Sequence, residues 1–283
     1  MHPEVQQAIA GKCPKCGMDL VQKTAATGSK DEHADHGAGG HSHGATANTI
    51  SVAAATAQPL AIGQRTEVTL VLKKQNGSPV TLNDLQEAHT EKIHVLIIDP
   101  TLTDYHHEHP VPGSAPGEYR FSFTPQKAGA YRMWADLVPA DSGKQEYVIA
   151  DLGGTPSVGE IPNRAQSLTT TVEGLTYTVT FDGPLKAGAA TMGTLTIKDA
   201  AGAVFPALEP IMGAYAHLVG FSEDFKTIAH IHPMGEEPKN PSDRGAGELK
   251  FHIEPETAGL VRLFAQVQIG GQSKFAPFTL TVE

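Results

Sequence analysis

One pattern occurs twice in this chain and limits how it can fold. A histidine opens an apolar run, a His-x-His pair follows, and a proline closes the segment. His94 to Pro110 reads HVLIIDPTLTDYHHEHP, and His217 to Pro233 reads HLVGFSEDFKTIAHIHP. His94, His107, His109 and Pro110 map onto His217, His230, His232 and Pro233 at a constant offset of 123. The residues between them differ almost throughout. Residues two apart on a strand face the same side. His107 and His109 can therefore point at one ion, and so can His230 and His232. The 13 residues from His94 to His107 leave room for a turn and an antiparallel return, which would bring three imidazoles together. We read the stretch as a duplicated metal-binding module, since neutral imidazole is the commonest side-chain metal ligand.

The flanking sequence repeats as well. GEYRFSFTPQKAGAYRMWADL (117–137) aligns with GELKFHIEPETAGLVRLFAQV (247–267) at an offset of 130. The second copy gains seven residues within a polar loop, MGEEPKNPSDRGAG. TEVTLVLKK (66–74), GEYRFSFTP (117–125) and GAYRMWADLVP (129–139) alternate polar and apolar residues as half-buried strands do. IHVLIID (93–99) is apolar enough for a central strand, and KQEYVIADL (144–152) closes the first copy. About seven short strands per copy, with turn signals between them, predict an all-β fold of two tandem immunoglobulin-like β-sandwiches. We assign residues 48–153 and 166–283 to the two sandwiches and GTPSVGEIPNRA (154–165) to a linker. Arg132 and Arg262 recur at offset 130 and are expected to make structural ion pairs. Trp134 and its counterpart Phe264 are expected in the core. His252, whose counterpart is Ser122, is expected to be an ordinary structural residue.

With 283 residues the chain can build two domains with real cores. Its formal charge of -10 and lack of a basic block argue against nucleic acid or an anionic membrane surface as partner. No run of 18 or more apolar residues suggests a membrane span. The sequence contains no P-loop, dinucleotide fingerprint or nucleophile constellation.

Residues 1–23 read MHPEVQQAIAGKCPKCGMDLVQK. Cys13-Pro-Lys-Cys16 presents two thiolates to one soft ion, and His2, Met1 and Met18 add further soft or borderline ligands. This segment closely resembles the short heavy-metal-binding domain attached to copper and silver efflux proteins. Met1-His2-Pro3-Glu4-Val5 matches the opening of that pattern, and Gly11 to Leu20 matches its Gly-Lys-Cys-Pro-x-Cys-Gly-Met-x-Leu close. The family places a Cys-Pro before Met-His-Pro, whereas this chain begins at that Met. We expect a longer native form, with an export signal and the first Cys upstream. Residues 24–47 are rich in Ala, Gly, Ser and His and read as a flexible linker. His33, His36, His41 and His43 make it a loose scavenger of divalent ions, although an expression tag is the plainer alternative.

A fourth ligand is expected five residues before each opening His: His89 in the first copy and Met212 in the second. An unbroken strand would put residues five apart on opposite faces, so the backbone must bend near Glu91 and Ala214. Four histidines suit Cu(II) or Zn(II), while a thioether leans towards copper. Asp104 and Glu108 are candidates for supporting or outward positions, and Met234 for reaching the second site. The sandwiches are also similar to envelope proteins that carry a His-x-His-Pro strand beside a heavy-metal-binding segment, which implies an envelope location and metal handling. The expectation is a periplasmic or surface protein that binds copper, Cu(I) or Cu(II), with zinc or silver as alternatives. It would sequester ions or pass them to an efflux system or metallochaperone. Two other readings stay open. One is a copper redox enzyme, since copper–zinc superoxide dismutases also carry His-x-His on a β-sandwich. The other is an adhesin or adaptor in which metals only stabilise loops.

Overall fold

The computed structural model describes residues 48–231 and 233–283. The first copy runs β1 (Ile50–Thr56), β2 (Thr66–Lys74), a 3-10 turn (Leu82–Asp84), β3 (Leu85–Gln86), β4 (Ile93–Ile98), β5 (Tyr105–Glu108), β6 (Val111–Pro112), β7 (Glu118–Phe123), β8 (Tyr131–Pro139) and β9 (Glu146–Leu152). The second runs β10 (Thr169–Val172), β11 (Leu175–Phe181), β12 (Thr191–Lys198), β13 (His217–Ser222), β14 (Ile228–Ile231), β15 (Pro233–Met234), β16 (Glu248–Ile253), β17 (Gly259–Ile269) and β18 (Gln272–Val282). Strand pairing is antiparallel throughout, in the orders β1-β2-β7-β6 and β3-β8-β4-β5 with β9 on β8, then β10-β11-β12-β16-β15 and β14-β13-β17-β18. The described residues are all-β, built as two tandem β-sandwiches.

Alternation along the strands explains each core. Val68, Leu70 and Leu72 of β2, with Tyr119, Phe121 and Phe123 of β7, face Tyr131, Met133 and Ala135 of β8 and Val95 and Ile97 of β4. The second core is built the same way from Tyr177, Leu195, Phe251, Leu218, Leu263 and Phe278.

Strands β4 and β13 depart from this alternation, because every residue in both is buried. An antiparallel strand reads as a continuous apolar run when both of its faces are covered. The outer face of the β4–β8 sheet is covered by the outer face of the β13–β17 sheet. Leu96, Ile98, Tyr105 and Trp134 of the first sandwich form one buried cluster with Val219, Phe221, Ile228 and Phe264 of the second. The two sandwiches therefore share a third hydrophobic core, which contains both Trp134 and Phe264.

Polar groups also bridge this face. Trp134 Nε1 donates to the Lys226 carbonyl at 3.2 Å. Arg132 pairs with Asp151 through both carboxylate oxygens, donates to the Phe225 carbonyl at 2.8 Å and sits over the Phe225 ring. Arg262 departs from the expected ion pair. It donates to the Pro162 carbonyl and the Thr279 hydroxyl instead. The 154–165 segment is thus pinned to the second sandwich, and its Ile161 is buried in the shared core.

Candidate metal centre

Turns and strand pairing place the histidines. In β4–β5 the pairing sets Leu96 opposite His107, and in β13–β14 it sets Val219 opposite His230, the same register at offset 123. The linking turns match too, with Leu102 and Phe225 both left-handed at φ 56. Asp99, fully buried, accepts from the backbone N–H of Thr101, Thr103 and Asp104 and so fixes the β4–β5 turn.

The bend expected before each opening His is a two-residue turn. Ala88 and Glu91 exchange backbone hydrogen bonds around His89 and Thr90, whose φ values are 53 and 67. Ile211 and Ala214 do the same around Met212 and Gly213, at 49 and 76. Two left-handed central residues are the mark of tight primed hairpin turns. A β-branched Thr is strained there, and backbone strain of this kind clusters at functional sites.

Each turn then orients its histidine. His94 Nε2 lies 2.9 Å from the Ala88 carbonyl, and His217 Nε2 lies 3.1 Å from the Ile211 carbonyl. A carbonyl only accepts, so Nε2 carries the proton and Nδ1 presents a lone pair. His107 is fixed in the opposite tautomer, because its Nδ1 lies 2.9 Å from Oε1 of Gln266 and its Nε2 holds the lone pair. Gln266, buried at 5 % exposure, is oriented in turn by its amide donating to Ser273 Oγ at 3.3 Å. His94 Nδ1 is 3.2 Å from His107 Nε2 and 3.2 Å from His109 Nε2. The ligating atoms of His94, His107 and His109 all lie within 4.8 Å of one another. Tetrahedral metal–imidazole bonds of about 2.0–2.1 Å place neighbouring ligand nitrogens roughly 3.3–3.4 Å apart. Lone pairs facing each other at 3.2 Å therefore fit a shared cation, and three neutral imidazoles suit copper or zinc ions.

Burial, with the neighbouring His94 ring adding to it, pushes His109 down to about 4. Desolvation and His94 push His89 down to about 4 as well, against the opposing charge of Asp136. The turn carrying His89 is exposed to solvent, so water screens part of its shift and His109 carries the pH argument. A histidine whose folded pKa is depressed binds fewer protons folded than unfolded. Its stabilising contribution is complete above the unfolded value near 6.5 and is lost as pH falls to about 4. The metal-free protein should thus lose stability progressively from about pH 6.5 to 4, beyond the loss seen in a His109→Gln variant. Urea unfolding across that window checks this, and parallel curves for the two proteins would contradict it.

The structure brings His94, His107 and His109 together. His89 is not one of the three, and its ring centroid lies 6.2 Å from His94 and 6.1 Å from His217 of the other sandwich. Met212 occupies the equivalent place in the second turn. His217 is 1 % exposed, and its ring centroid lies 6.0 Å from His107. His230 is described only by its strand position, and His232, His2, Cys13, Cys16 and Met18 lie outside the described residues, as do the histidines of the 24–47 tract. Asp104, His106 and Glu108 point to the opposite face of β5. Asp104 there binds His106, the Tyr131 hydroxyl and the Gln126 N–H, a structural knot away from the triad. Met234 is exposed and pairs with β16 in the other sheet of its sandwich, and His252 lies opposite Met192 on β16.

Sequence reading missed Gln266 and Asp136. They are counterparts at offset 130, and strand pairing sets them opposite His217 and His94 respectively. Asp136 is buried at 3 % exposure and accepts from Gln145 at 2.7 Å. Its carboxylate is the nearby charge that favours protonation of His89.

Among the described residues, a duplicated sandwich with imidazoles gathered at the face between its copies defines an all-β fold with a candidate metal centre. Residues 45–150 and 170–283 match the family described as Domain of unknown function (DUF8832), and the chain belongs to that family. Residues 1–23 match the family described as Heavy metal binding domain, in agreement with the resemblance read from the Cys13–Cys16 motif. No curated protein matches the chain. Among solved structures, it is similar to Escherichia coli alpha-2-macroglobulin activated by porcine elastase, at 11 % identity and a TM-score of 0.25, over 83 % of this chain and 22 % of that one. The chain thus spans about a fifth of that structure's length. It is also similar to the D0-D1 domain of Intimin (10 % identity, 82 % of this chain, 99 % of that one, TM-score 0.21). A third is domains 4 and 5 of the S-layer protein SbsC (14 %, 83 %, 98 %, TM-score 0.22).

Proposed function

We propose that this protein captures copper-class ions in the cell envelope, in the periplasm or at the surface, and holds them or hands them on as part of metal resistance. The observation that carries this reading is the triad: ring nitrogens of His94, His107 and His109 converge on one point, with the tautomers of His94 and His107 set by outer acceptors. Metal-binding histidines depend on such outer partners for orientation. The heavy-metal-binding segment at residues 1–23 supports the same reading, because a thiolate pair adds a soft binding site to the chain that carries the imidazoles. Copper as Cu(I) or Cu(II) fits both ligand sets best, with zinc and silver as rivals. Ions bound at several sites suit capture and transfer, to a metallochaperone or an efflux system, better than a reaction cycle, so we read the protein as a binder and not an enzyme. No helix among the described residues is long and apolar enough to cross a membrane.

The test is metal content by elemental mass spectrometry after equilibration with competing copper and zinc. The full chain is compared with a His94→Ala/His107→Ala/His109→Ala variant, and copper tolerance is measured in cells expressing each. The variant is expected to lose tightly held copper and to protect cells less. Equal loading and equal protection would overturn the reading.

A further inference from the structure

The two opening histidines, one from each sandwich, lie close to the same rings. His94 and His217 are both buried, and each is held through Nε2 by a carbonyl of its own left-handed turn. The turns themselves touch: a Cβ added at Gly213 would lie 3.3 Å from Thr90 Cγ2. His107 stands between the two opening rings, at 5.4 Å from His94 and 6.0 Å from His217. His89 stands between them as well, at 6.2 Å and 6.1 Å. The support crosses the interface, since Gln266 beside His217 fixes the tautomer of His107.

We propose that the interface holds a pair of copper-class ions in one shared centre, the first in the His94–His107–His109 triad and the second between His217 and His89, with His89 giving its one imidazole lone pair to that second ion. This rests on the triad binding an ion, as argued above. Two cations held close together repel each other, and neutral imidazoles do nothing to offset that. Asp136 supplies the missing charge: it is a buried carboxylate opposite His94 in the strand pairing and acts on His89. The second ion requires both sandwiches, docked.

The experiment is electron paramagnetic resonance of the full chain during stepwise loading with Cu(II). Two Cu(II) ions held close together give a half-field transition that magnetically isolated ions do not. The transition is expected in the wild type at the later equivalents. In His217→Ala it should vanish while the isolated signal of the triad persists. His89→Ala, in the exposed turn, tests the pair without disturbing a buried side chain and should diminish the half-field signal. An isolated spectrum at every loading of the wild type would overturn the pair, as would a half-field signal that survives both substitutions. If a His107→Ala/His109→Ala variant loaded copper as the wild type does, the triad reading itself would fail. If that variant lost an ion but no coupling were ever seen in the wild type, only the pair would fail.

Discussion

Gln266→Ala is expected to weaken ion binding at the His94–His107–His109 triad by about 10–100-fold, although Gln266 touches no ion and belongs to the other sandwich. The Oε1 atom of Gln266 accepts the Nδ1 proton of His107 at 2.9 Å. Removing it takes away the partner that keeps the Nε2 lone pair aimed at the triad. It also leaves a partly buried N–H without that acceptor, which costs about 1–3 kcal/mol in the arrangement the ion needs. Gln266→Glu keeps an acceptor at the same reach and should retain most of the affinity. A competition titration against a chelator of known affinity separates the cases. Equal affinity in wild type and Gln266→Ala would show that His107 is oriented without its neighbour.

The folding of each sandwich was largely legible in the sequence, and the reason lies in the period. β2, β7 and β8 alternate cleanly, so Val68, Phe121 and Met133 identify themselves as core. The gathering of His107 with His109 and His94 could be read from the same rule, because a strand repeats its facing every two residues and the hairpin fits the 13-residue gap. The interface was written less plainly. β4 and β13 are apolar on both faces, and Leu96, Ile98, Val219 and Phe221 carried that message. An apolar run does not say what covers it, and here the cover is the other copy of the same sheet. Gln266 stayed hidden for the same reason. It lies 159 residues from His107, and only the docking of two sheets brings them together. Its one signal was its place at offset 130 from Asp136, in a hairpin whose arginines and small residues already repeat. Spacing put His89 beside the first site, and what it did not show is that the left-handed turn also sets its ring 6.1 Å from His217 of the other copy.

Trp134→Ala should be the most damaging change to stability, because it removes the largest side chain from the core the sandwiches share. Trp134 is 1 % exposed, with ring centroids 5.5 Å from Phe221 and 6.1 Å from Phe225 across the interface, and its indole N–H is committed to the Lys226 carbonyl. Truncating a buried Trp to Ala costs about 3–5 kcal/mol, from lost transfer free energy and the cavity left behind. That is a large share of the roughly 5–15 kcal/mol that holds a typical domain folded. The loss falls on the docking more than on either sandwich core, since Trp134 faces outward from its own sheet. Metal binding should fall with it: His107 loses Gln266 as the sheets part, so the triad loses the tautomer that serves the ion. Trp134→Phe, which copies the counterpart Phe264, keeps the apolar contact and forfeits only the hydrogen bond, about 0.5–1.5 kcal/mol. Urea unfolding followed by circular dichroism gives the stability term, and proteolysis of the segment around Ile161 reports the undocking. A loss under about 1 kcal/mol in Trp134→Ala, with copper affinity unchanged, would mean that the sandwiches hold their ions without holding each other.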